Sequence, residues 1–209
     1  MNSAPNPAAY AARVAGKPVP LTEIDEREAA LRAGNRAAAL PRPHTSEGRQ
    51  LRRWITQLAV ADRVVADEAA ARGLSPDGAP AHDEVLPDTA ARLEIGSVAA
   101  ATLATPLARA VFADVTAAVD VSETEVTGYH ARNPMRFAVR RSGADGWRAR
   151  PVAPALHEVR ERIAAHLRAA ARRQVFRQWL DARCAAVVEL APGYEHPGDP
   201  RQPDNTHKH

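Results

Sequence analysis

The chain has 209 residues, 45% of them hydrophobic, enough for one packed domain with appendages. Its 28 basic and 25 acidic residues leave a formal charge of +3, which permits a nucleic-acid partner without demanding one. A single cysteine, Cys184, excludes an internal disulfide and any CxxC motif, and no apolar run approaches the roughly 18 residues of a membrane span. With no apolar signal core near the N-terminus, these features give the expectation of a soluble, cytoplasmic protein, and the elements that follow in chain order make it mainly α.

In chain order, residues 1–11 read as a loose N-terminus. Ala12 to Leu21 offers short apolar pieces around Gly16-Lys17, the pattern of a strand pair turning at the glycine. Thr22 is expected to cap a helix, with Asp25 completing a capping box, and that helix runs toward Leu40 through a weak point at Gly34-Asn35 before Pro41 and Pro43 stop it. Leu51, Ile55, Leu58, Val65 and Ala69 then recur at helical spacing from about Ser46 to Arg72, and Gly73-Leu74 is a helix-ending pair. Residues 75–87 read as a loop, and Asp88 caps a short helix to Ile95. Thr105-Pro106 opens another helix that buries Leu107, Val111, Val115 and Val119. Ser122 and Glu125 form a capping box ahead of Val126 and Tyr129. Residues 138–153 could hold a hairpin turning at Gly143 or Gly146. A long helix follows from about Ala155 to Ala185, with Val159, Ile163, Leu167, Phe176, Leu180 and Cys184 on its apolar stripe, and Ala186–Leu190 reads as a closing strand.

Four stretches, ARVAGKPVPLTEID, LRRWITQLAVADRVVADEAAARGL, VSETEVTGYHARNPMRF and VRERIAAHLRAAARRQVFRQWLDARCAAVVEL, carry a resemblance to the chaperone core of the SurA and PrsA type. Together they span residues 12–190, which the resemblance makes a single SurA-like helical domain with a small β element from the N-terminal hairpin and the C-terminal strand. Relatives of that family insert a parvulin prolyl isomerase domain between the capped helix and the closing helix. Here the interval from Ala138 to Pro154 is far too short for one. The resemblance therefore implies a cradle for an extended or unfolded client, closed by pairing of the first and last strands, without isomerase chemistry.

Other chemistry has no motif to rest on. No GxSxG elbow, GxGxxG loop or phosphate-binding GxxxxGK[ST] occurs, so the reading is of a non-enzyme without a bound cofactor. Arg160, Arg162, Arg168, Arg172, Arg173, Arg177 and Arg183 make the closing helix basic, but acids one turn away can pair with several of them, and Phe176 and Trp179 read as inward-facing, which argues against nucleic acid. His130, His157 and His166 lack the spacing of a helical metal pair. Residues 191–209 form a tail rich in proline and histidine. Its His196, Asp199, Asp204, His207 and His209 could hold a divalent metal, and Tyr194, Glu195, His196, Arg201, Asn205 and His207 are candidate contacts to a partner protein. The first expectation is a chaperone-like or assembly protein that binds a partner through cradle and tail. The alternatives are a permanent accessory subunit whose tail completes or covers an enzyme's active site, and a tail metal-binding protein.

Overall fold

The structure is a computed structural model that describes residues 10–35, 37–138 and 152–195. The hairpin expectation over 138–153 falls almost wholly outside them, as does the tail beyond Glu195. Strands β1 (Tyr10–Val14) and β2 (Lys17–Pro20) form a hairpin, and β3 (Val188–Leu190) pairs antiparallel with the other side of β1, giving the order β2-β1-β3. The turn is Ala15-Gly16, one residue earlier than the sequence suggested. Both residues have positive φ, 48° and 78°, the two-residue geometry that matches the twist of the flanking strands. A bulge between Tyr10 and Ala12 turns Ala11 and Ala12 both inward, which strict alternation would forbid. On the outer edge, Pro18 and Pro20 have no N–H to offer, and Arg63 donates to the Pro18 carbonyl at 3.1 Å.

Helix α1 (Leu21–Ala33) begins directly at the end of β2 with Pro20 as its N-cap and no side-chain cap. Thr22 is therefore inside the first turn and caps nothing, and Asp25 instead pairs with Arg52 at 2.5 Å. The helix stops at Gly34, short of Leu40, and residues Ala37–Ala39 make a separate 3-10 turn. Only Ile24 of α1 is buried. Charged pairs tie this helix to α2 (Ser46–Arg72): Arg27 to Asp62 at 2.7 Å, Arg63 to Glu23 at 2.5 Å and Arg52 to Glu28 at 3.0 Å.

Helix α2 is the spine. Thr45 caps it by accepting from the Gly48 amide at 3.0 Å, and a Cβ at Gly48 would lie 2.3 Å from the Arg42 carbonyl oxygen, so only glycine fits there. At the far end Gly73 takes the left-handed conformation, and the Leu74 amide folds back to Ala69 at 2.9 Å. Its buried face is wider than one stripe, because β1, α1, α5 (Ser97–Thr102), α6 (Pro106–Val115) and α8 (Leu156–Val187) all pack on it. Between α2 and α8, four shorter helices fill one side: α3 (His82–Val85), α4 (Thr89–Ile95), α5 (Ser97–Thr102) and α6 (Pro106–Val115). The expected loop over 75–87 thus contains α3, and α5 had no counterpart in the sequence reading. Helix α6 buries Ala108, Val111 and Phe112, a face rotated from the expected one, and ends at Val115, where the Thr116 hydroxyl donates to the Phe112 carbonyl at 2.7 Å.

The 32-residue helix α8 (Leu156–Val187) joins two apolar clusters. Near its start, Val159 and Ile163 pack with Val126 of α7 (Glu123–Arg132), under Tyr129, Phe137 and Leu167. Further along, Phe176 and Leu180 enter the main core, where the Phe176 ring lies 5.4 Å from both Phe112 and Trp179. His166 stacks near Tyr129 at 5.5 Å, and His130 bonds to the Pro154 carbonyl at 2.9 Å, so both histidines are engaged locally. The α8 arginines do not chiefly pair along their own helix, as the sequence suggested. Arg160 reaches Glu123, Arg168 reaches Asp120, Arg173 reaches Glu94 and Arg183 reaches Glu68, while Arg177 to Asp181 is the within-helix pair. The basic face therefore works as ties between helices.

Candidate binding groove

A cavity of about 620 Å³ opens where α8 runs into β3. Its walls are Ile95 and Val98 from the α4–α5 corner, Leu180 and Cys184 from the last turns of α8, and Val188 and Leu190 from β3. Gly96, with φ of 90°, makes the sharp corner that presents Ser97 and Val98 to the opening. Past these two residues a second hollow of about 400 Å³ continues along α2 to Leu51, Trp54 and Pro41. Gln57, Ser97 and Val98 line both hollows, which therefore adjoin across these three residues and are taken together as one groove.

The deeper hollow is mainly apolar, and Glu47 and Gln50 add polar side chains to the lining of the second. The Trp54 indole donates to the Ser97 hydroxyl at 3.2 Å, which fixes the ring along the groove. Among the described residues, the Gln57 side-chain nitrogen is buried without a hydrogen-bond acceptor. Arg177 and Asp181 stand at the rim, 3.8 Å apart and more than half exposed, an arrangement worth little energy in water. Burial, with a smaller contribution from Asp181, pushes the Cys184 thiol up to about 11, so the groove holds a neutral thiol and not a thiolate at ordinary pH. Such a surface can hold an extended apolar segment, with an amide donor available for a backbone carbonyl.

The beginning of the tail docks beside the groove's floor helix. The Tyr194 amide closes a turn onto the Ala191 carbonyl at 3.0 Å, and the Gly193 carbonyl accepts from Arg53 at 3.1 Å. Arg53 is only 4% exposed, so this carbonyl satisfies part of a buried guanidinium. The Tyr194 ring packs against the main core and its hydroxyl lies 3.3 Å from Arg52. Tyr194 and half-buried Glu195 thus sit where the tail leaves the body, while His196, Asp199, Arg201, Asp204, Asn205, His207 and His209 lie outside the described residues.

A family of unknown function, DUF7158, matches residues 10–47. That stretch holds the β1–β2 hairpin, α1 and the entry to α2. No curated protein and no solved structure matches the chain. Among the described residues no helix is long and apolar enough to cross a membrane, and no group of three metal-ligating side chains is assembled.

Helical spacing places Leu180 and Cys184 on the apolar stripe of α8, but no spacing in the sequence marks Trp54, Gln57, Ser97 or Val98 as groove residues. Trp54 lies three residues after Leu51 and next to the periodic Ile55, and an aromatic offset from the main stripe is the one signal that could have marked a second apolar face on α2.

Proposed function

We propose that this is a non-catalytic binding protein, a chaperone-like or assembly factor that holds an extended apolar segment of a partner protein in the groove between α2, the α4–α5 corner and β3. The observation that supports this most is the groove itself: two adjoining hollows, the deeper about 620 Å³ with walls of Ile95, Val98, Leu180, Val188 and Leu190. Burying such walls and a matching segment releases water from apolar surface, the main driving force of protein association. The resemblance to SurA-type cores favours the same reading, since a cradle closed by the first and last strands suits an extended client. Tyr194, pinned to α2, gives the tail a fixed origin from which Arg201, Asn205 and His207 would reach the partner. The lone free thiol of Cys184 fits a cytoplasmic, reducing setting.

The test is affinity capture from the native organism with three chains: the full protein, one ending at Glu195, and full-length Val98→Glu. The expected result is one partner retained by the full chain, lost by Val98→Glu and weakened in the shortened chain. A partner held equally by all three would refute the groove. A partner that stays in fixed stoichiometry through ion exchange and gel filtration would identify a permanent subunit.

A further inference from the structure

On a different part of α8, sharing no residue with the groove, lies a pocket of about 340 Å³ between α8 and the α3 and α6 helices. Phe112, Val85, Ala113, Ala165 and Ala169 make its apolar walls, and Arg172 enters from the side. Arg172 differs from its neighbours. Arg168 and Arg173 on either side are engaged by Asp120 and Glu94, and Arg162 lies over the Phe137 ring at 5.0 Å. Among the described residues Arg172 has no carboxylate partner, and its Nε is buried without an acceptor. A partly buried guanidinium left this way is costly unless something else brings the negative charge.

The chemistry of that missing group can be read from the lining. Arg168 is already engaged by Asp120, so Arg172 is the lining arginine left without a carboxylate partner among the described residues. The carboxylate in the wall, Glu84, spends one oxygen on the Ala81 amide at 2.9 Å and repels a second negative charge beside it. A dianion such as phosphate is therefore disfavoured against a monoanion. A planar carboxylate fits the guanidinium fork, and the alanine, valine and phenylalanine walls demand an apolar body behind it. The volume is at the lower end of small-ligand pockets, which span roughly 300–1,000 Å³. We propose that this pocket binds a small monocarboxylic acid with an aliphatic or aromatic body, the carboxylate on Arg172 and the body against Phe112 and Val85.

The experiment titrates the full-length protein calorimetrically with sodium octanoate, sodium phenylacetate, neutral phenylacetamide and inorganic phosphate. Saturable binding of at least one acid is expected, with phenylacetamide and phosphate at least tenfold weaker. Arg172→Met should weaken the acid at least tenfold while its thermal midpoint without ligand stays equal or rises, because an unpaired buried charge has gone. Ala169→Phe, which fills the pocket and keeps the arginine, should abolish binding, and Arg160→Met, whose arginine is paired with Glu123 at the surface, should bind as wild type. The proposal is overturned by no saturable binding of either acid up to about 10 mM, by equal binding in Arg172→Met or Ala169→Phe, or by phosphate binding more tightly than both acids.

Discussion

Replacing Glu94 by alanine should destabilise the protein more than replacing the arginine it holds. Arg173 is 5% exposed and donates through Nε and Nη2 to a single Glu94 oxygen at 2.9 and 2.7 Å, whereas the Glu94 side chain is 45% exposed. Glu94→Ala leaves a buried guanidinium with neither charge partner nor acceptor. Breaking a wholly buried pair costs about 3–5 kcal/mol, and because half of this carboxylate already faces water that can move in behind it, about 2–3 kcal/mol is expected here. For a chain of this length that is a fall in thermal midpoint of roughly 5–10 °C. Arg173→Met removes the buried charge, keeps most of the apolar stem, and leaves a carboxylate that water can solvate, so about 1 kcal/mol or less is expected. The double variant should match Arg173→Met, because without the arginine the carboxylate has nothing left to do. Urea unfolding followed by far-ultraviolet circular dichroism measures all three. A Glu94→Ala within about 0.5 kcal/mol of wild type, or an Arg173→Met that costs more than Glu94→Ala, would refute the reasoning.

Cys184, with its thiol raised to about 11, should carry far fewer thiolates at pH 8 than an ordinary cysteine, and its alkylation should accelerate about tenfold per pH unit to beyond pH 10. A rate that levels off near pH 9 in the folded protein would contradict this, since that is where the unfolded thiol levels off. Gly48→Ala should cost about 1–3 kcal/mol against the Arg42 carbonyl, whereas Gly128→Ala, whose new methyl meets only the movable end of Arg132, should gain about 0.5–1 kcal/mol; shifts of the same sign in thermal denaturation would sink the pair. The purified protein should leave the isomerisation of a proline peptide at its uncatalysed tens of seconds in a protease-coupled assay, and acceleration that persists through repurification would overturn that expectation.

The long elements were legible because their signals are local. Helix α2 announces itself by periodicity and by the Gly73-Leu74 ending, and α7 by Ser122 and Glu125, whose carboxylate accepts from the Ser122 amide at 2.8 Å. Thr22 misled because β2 feeds straight into α1 through Pro20, a junction in which the proline takes the capping position and a nearby threonine mimics it. Helix α5 has six residues, fewer than two turns, and no period can emerge from that. The groove was hidden for a different reason: its walls come from three separated stretches, 41–61, 95–99 and 177–190, that share no spacing. Arg172 and Arg173 are adjacent in sequence, yet the step of about 100° along a helix sends one to Glu94 and the other to a pocket, a distinction decided by what packs there.

Across the sheet, Arg13 faces Glu189, so one of the earliest strands to be synthesised waits for one of the latest. A hairpin of β1 and β2 forms in microseconds, but at ~5–20 residues per second the ribosome needs roughly ten to thirty seconds to supply β3. Throughout that interval the β1 edge that will receive β3 stays unpaired, while the proline-bearing edge of β2 is already blunted. Nascent chains on one message therefore meet as potential pairing partners along a single defined edge. A chain halted before Val188 never loses that edge, so a truncated copy keeps the unpaired side of β1 open to another chain.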